Sequence, residues 1–152
     1  MGAALFAVFF AQCGGNSPYP ENNAGESKTA EQNIQENTEP ADPMKNKGIG
    51  PVTSLELVPL DQAMAAAGKE LYDLKCTACH NIKTKLIGPP QEGVLKRRTP
   101  EWVMNLILNP DEMLKSDPIA KELLKEYNNV PMTNQGLTQE EARKILEYFR
   151  TM

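Results

Sequence analysis

Two cysteines and a histidine stand within five residues, Cys76-Thr77-Ala78-Cys79-His80, in a chain that holds three cysteines and one histidine in all. Thiols and an imidazole are metal ligands and nucleophiles, so their gathering asks for a chemistry that uses all three. A structural zinc site needs four ligands, and the remaining cysteine, Cys13, lies far off near the amino terminus. A dithiol redox site uses cysteines at this spacing but does not require the histidine, and it normally sits where a strand meets a helix. Covalent attachment of a c-type haem, for which C-x-x-C-H is the signature, uses every member. Two thiols three positions apart on a helical turn reach the two vinyl groups on one side of a porphyrin, and the next residue turns an imidazole toward the iron. Cys76 and Cys79 then form the thioethers and His80 is an axial ligand.

The elements that must position these groups read as helices. One runs from near Asp61 to Lys75, with Met64, Ala67, Gly68, Leu71 and Tyr72 on one face. A second opens at Thr99-Pro100, carries the apolar stripe Trp102, Val103, Leu106 and Ile107, and stops at Asn109-Pro110. A third follows Asp117-Pro118 and aligns Ile119, Leu123 and Tyr127. A fourth starts at Thr138 with Glu141 completing a capping box, and buries Ala142, Ile145, Leu146 and Phe149. No stretch alternates as a strand would, so the domain is expected to be all-α, which disfavours a sheet-based redox fold.

From Asp61 to Arg150 the sequence resembles the class I c-type cytochromes, small helical carriers of one haem. "AGKELYDLKCTACH" looks like the family's first helix, and "KILEYFR" like the last. The resemblance implies about four short helices around one covalent haem c. It also implies that Gly68 and Tyr72 face Ile145, Tyr148 and Phe149, the glycine permitting close helix crossing. "IGPPQEG" looks like the turn after the haem site, in which a proline carbonyl, here that of Pro89, accepts the proton on the second histidine nitrogen. Gln91 replaces the leucine common in that turn, and Pro90 is extra. The family places its distal methionine in the loop before the last helix, which implies Met132 of "NNVPMTNQGLT" as sixth ligand, with Met113 of "PDEML" as runner-up. The resemblance also suggests propionate contacts from Arg97, Arg98 or Trp102, although Trp102 reads equally well as a plain core residue.

The rest of the chain bears on location and partners. With a net charge of −4 over 152 residues, nucleic acid is not an expected partner. Residues 1–13 end an apolar run at Cys13 and resemble a bacterial lipoprotein export signal, with Cys13 as the point of lipid attachment. No basic residue precedes the run and Phe10-Ala11-Gln12 departs from the usual small residues, so an ordinary signal peptide is the alternative. Residues 14–54, rich in Asn, Glu, Pro, Ser and Gly, read as a disordered linker with a reach of roughly 35 Å. Residues 55–152 form the haem domain. Lys75, Lys83, Lys85, Lys96, Arg97 and Arg98 face one acid, Glu92, between positions 75 and 98; they form either a solvated surface or a docking patch for an acidic partner.

The expected function is one-electron transfer, without enzymatic turnover, in an exported respiratory chain on the periplasmic side, tied to a membrane by the lipid. The donor would be a quinol-oxidising complex, and the acceptor a terminal oxidase or an exported reductase such as nitrous oxide reductase. The competing classes are a haem sensor or gas-binding module with an open or labile sixth position, and a thiol-disulfide enzyme without haem.

Overall fold

The computed structural model describes residues 42–152, with Gly2 alone before them. The expectations for Cys13 and for most of the linker fall outside the described residues. Five α-helices and one 3-10 turn make up the fold, with no strand among the described residues: α1 (Gln62–Lys75), the turn Val94–Lys96, α2 (Pro100–Leu108), α3 (Pro110–Ser116), α4 (Pro118–Glu126) and α5 (Gln139–Phe149).

Four of the five helix starts follow from side-chain caps. Asp61 Oδ1 accepts from Met64 N–H at 3.0 Å, Thr99 Oγ1 from Trp102 N–H at 3.1 Å, and Asp117 Oδ1 from Ala120 N–H at 2.8 Å. At α5 the capping box is complete, with Glu141 N–H donating to Thr138 Oγ1 and Thr138 N–H to Glu141 Oε2. The sequence pattern gave four helices, and α3 is the addition. Pro110 lacks the N–H that would continue α2, yet at the first position of α3 no N–H is needed, so one residue ends one helix and opens the next.

α1 crosses α5 at Gly68. A Cβ on Gly68 would lie 1.8 Å from Lys144 O, so only glycine lets the two backbones meet. Tyr72, one turn along the same face, packs its ring 5.7 Å from both Tyr148 and Phe149. The buried stripe of α1 is Ala65, Gly68 and Tyr72; Ala65, fully apolar but small, carries too little signal to stand out in the sequence. The crossing is pinned at its far end by Glu147. Its buried carboxylate accepts from Asp61 N–H at 2.8 Å at the mouth of α1 and pairs with Arg143 and Arg150.

The folded body begins before residue 55, which corrects the linker boundary. Residues 46–53 form a strap across α2 and α3. Asn105, itself buried, donates to Lys47 O and Val52 O and accepts from Val52 N–H, all at 2.9 Å. Asn46 donates to Asp117 Oδ2 at 2.7 Å, and Val52 is buried in the core. Composition alone misses this because the strap's backbone is satisfied largely by polar side chains, Asn105 of α2 and its cap Thr99, while Val52 is its one buried apolar residue.

Candidate functional site

The Cys76–His80 stretch continues the end of α1 by one turn. Cys76 N–H donates to Tyr72 O at 2.9 Å, and both Cys79 N–H and His80 N–H donate to Cys76 O, at 3.0 and 2.8 Å. That turn puts Cys76, Cys79 and His80 together on the wall of a cavity of about 350 Å³. Tyr72 closes the turn from behind, its hydroxyl donating to His80 O at 3.0 Å. Gly88 N–H donates to Cys79 O at 2.8 Å, and the glycine backbone lies flat against the imidazole. A Cβ there would stand 2.4 Å from His80 Cε1, so Gly88 is what admits the ring. Pro89 O lies 2.9 Å from His80 Nδ1, as the resemblance implied, which leaves Nε2 as the ring nitrogen available to a metal.

The remaining walls come from α2, α4, α5 and the loop before α5. Trp102, Val103, Leu106, Leu123, Phe149 and Met132 line the same cavity, and the surface is mostly apolar. Met132 is therefore brought to the cavity that holds His80. Met113 is not: it is fully buried in α3, where its Sδ accepts from Ile49 N–H at 2.9 Å under the strap.

The basic and aromatic candidates separate. Trp102 donates its indole N–H to Asp117 Oδ1 at 3.1 Å, so its ring forms cavity wall while the suggested propionate contact through that nitrogen is not made. Asp117 also caps α4 and receives Asn46, which makes it a hub that the sequence shows only as a cap. Arg97 donates to Glu92 O and Pro90 O, at 2.8 and 3.1 Å, and braces the turn that follows the histidine. Arg98 lines the cavity over the Trp102 ring, and its Nε is the one buried side-chain nitrogen or oxygen among the described residues with no hydrogen-bond partner. Burial, and then the neighbouring Arg97, push its pKa down, so an anion at the cavity rim would relieve it.

These observations test which group fits. Two unpaired thiols, an imidazole with one nitrogen fixed, a thioether, an apolar enclosure and an orphaned guanidinium N–H match a haem with its carboxylates. A dithiol active site does not match. Burial, and behind it Cys79, push the Cys76 thiol up to about 11, whereas an attacking cysteine needs a lowered pKa. Nor does structural zinc, since no group of three or more Cys, His, Asp or Glu able to hold a metal occurs among the described residues. Among the described residues no helix is long and apolar enough to cross a membrane.

A family model described as cytochrome c matches residues 65–152. Among solved structures the chain is similar to a cytochrome c from Rhodothermus marinus, with 43% identity and a TM-score of 0.65 over 67% of this chain and 88% of that one. It is also similar to an engineered form of that cytochrome bound to a carbene intermediate, at 42% identity and a TM-score of 0.62 over 67% and 88%. The cytochrome c domain of the pp3183 protein from Pseudomonas putida matches at 29% identity and a TM-score of 0.52, over 55% of this chain and 85% of that one. No curated protein matches the chain.

Proposed function

The chain belongs to the cytochrome c family, which makes it a haem-based electron carrier with one covalently bound haem c, and we propose that its iron is held between His80 and Met132 in an exported respiratory chain. Haem c, when bound, supplies an iron couple that takes up and releases one electron at a time. The chain does the rest. Cys76 and Cys79 tether the group, and His80 offers Nε2 while Pro89 O holds the proton on Nδ1. Met132 offers a soft thioether, which raises the potential relative to a second histidine. The apolar walls exclude water, and Arg98 offers its unpartnered Nε–H to a carboxylate. With His80 and Met132 both committed to a bound haem, the iron would be closed to other ligands, which favours a carrier over an enzyme.

The observation that supports this ligand pair is that Met132 shares the cavity with His80, whereas the Met113 sulfur is already engaged by Ile49. The rest of the proposal extends outward. Cys13 carries a lipid on the periplasmic side, and the domain passes electrons from a quinol-oxidising donor to an oxidase or exported reductase. Lys75, Lys83, Lys85, Lys96 and Arg97 are exposed, which favours acidic partner surfaces and association rates that fall with salt.

Optical spectroscopy of the exported protein tests the core of this reading. The expected spectrum has a covalent haem band and a methionine-to-iron charge-transfer band. Absence of the haem band would overturn the attachment; rapid carbon monoxide binding to the ferrous form would overturn Met132 ligation and favour the sensor class.

A further inference from the structure

Gln91, two residues past Pro89, reaches back to the same carbonyl that faces the histidine. Its Nε2 lies 2.8 Å from Pro89 O and 2.8 Å from His80 Nδ1, and Nδ1 itself lies 2.9 Å from that oxygen. Three polar atoms thus close a triangle in which two donors share one acceptor. The amide nitrogen, not its oxygen, belongs at this corner: an oxygen there would set two carbonyl oxygens 2.8 Å apart with no proton between them. Nδ1 cannot accept from Gln91 without shifting its own proton to Nε2, and that would remove the lone pair an iron needs. In the ligating tautomer, therefore, His80 and Gln91 compete for Pro89 O. The backbone holds both in place, since Gln91 N–H donates to Asn81 O at 3.2 Å and Glu92 N–H to Ile82 O at 2.8 Å.

We propose that Gln91 is a positioning residue that raises the reduction potential by weakening the bond between His80 Nδ1–H and Pro89 O. An acceptor on the distal ring nitrogen makes the imidazole a more basic ligand, which stabilises ferric iron most. Sharing that acceptor with a second N–H, whose nitrogen is only 2.8 Å from Nδ1, reverses part of the effect. The inference rests on His80 being an axial ligand, and it assigns a role to the residue at which this turn departs from the family pattern.

Replacing Gln91 by an apolar residue separates this role from a merely structural one by sign. If the amide acts only as a nearby dipole, its loss leaves the potential unchanged or raises it, because the ferric charge is then less well solvated. If it acts through Pro89 O, the potential falls. The experiment measures the midpoint potential of haem-loaded Gln91→Leu and Gln91→Ala, together with the proton shift of His80 Nδ1–H in the ferrous state. The expected result is a roughly three- to tenfold shift of the couple toward ferric, tenfold being about 59 mV for one electron, with the Nδ1–H resonance moved downfield. Either variant that keeps the covalent haem spectrum suffices. An unchanged or raised potential overturns the proposal, as does a fall without the N–H shift. Failure of the axial assignment itself shows earlier, as a native protein lacking a His80 Nδ1–H resonance displaced by the haem ring current.

Discussion

His80 is fixed by its own neighbourhood, and Met132 is carried in from a distance. The histidine N–H is bonded to Cys76, its carbonyl to Tyr72, its Nδ1 to Pro89, and its ring face rests on Gly88. Met132 lies in the run between α4 and α5, which is tied back by Asn129 N–H to Leu124 O, Val130 N–H to Tyr127 O, and the Asn134 side chain to Leu108 O at 3.4 Å. Asn128 and Asn129 both adopt left-handed backbone, with φ of 60 and 57°. One wall is thus preorganised by short-range bonds, while the other depends on where two helices leave a loop. The difference predicts that damage to the first is structural and damage to the second is mainly chemical.

The two methionine candidates give the sharpest version of that contrast. Met113→Ala empties a fully buried site beneath the strap and should cost about 3 kcal/mol of stability, read from urea unfolding, while the charge-transfer band survives. Met132→Ala should abolish the band in a protein that still retains its covalent haem. A band lost in Met113→Ala and kept in Met132→Ala would reverse the assignment of the two walls.

How well each wall could be read in the sequence follows the same division. Cys76, Cys79 and His80 announce themselves because the chemistry needs them adjacent, and the caps at Asp61, Thr99, Asp117 and Thr138 are local signals that the structure contains. Met132 was reachable only through the family resemblance, since nothing in its own spacing to His80 implies a shared cavity. The strap at 46–53 and α3 were hidden for a different reason. Asn105 and Asp117 each make three side-chain hydrogen bonds, Pro110 ends one helix while opening the next, and a sequence shows a residue's type without showing how many partners it will satisfy. Trp102 illustrates this directly: its N–H had two reasonable destinations, and Asp117 is the one it takes.

The α1–α5 frame behind His80 offers the next test. Burial pushes the Glu147 carboxyl up, but Arg150, the Asp61 N–H and Arg143 outweigh it and hold the pKa below the usual carboxylate value. A depressed folded pKa means that this contribution is fully present above the unfolded value near 4.5, and is lost as pH falls through the folded pKa. Glu147→Gln should therefore cost about 2–3 kcal/mol at neutral pH, since it strands two arginines and weakens the tie to α1. It should also flatten the loss of stability between roughly pH 5 and 3. A variant whose acid profile overlays the native one would remove Glu147 from the frame. Two glycines then compare the walls at finer scale. Gly88→Ala pushes a methyl into the His80 ring and should cost about 2 kcal/mol, with a shifted midpoint potential. Gly136→Ala meets open space and strains only its left-handed backbone, at φ 65°, for about 1 kcal/mol and with no change in potential.

The smallest effect tests whether the Met132 wall is limited by backbone strain. Asn129 tolerates the left-handed region better than most residues, but glycine pays no steric penalty there. Against that gain stands the greater freedom of glycine in the unfolded chain, which opposes it. Because Asn129 N–H already bonds to Leu124 O, the glycine keeps that bond and the turn geometry. Asn129→Gly should therefore stabilise the protein by only about 0.5 kcal/mol. The same gain should slow displacement of Met132 from the ferric iron by added imidazole about twofold, if the loop opens as a unit. Unchanged displacement alongside the gain in stability would mean that the loop releases its methionine at Pro131–Met132 without unwinding the turn at Asn129. The distal wall would then be divided into two independently moving pieces, and the contrast with His80 would lie in the Pro131–Met132 step alone.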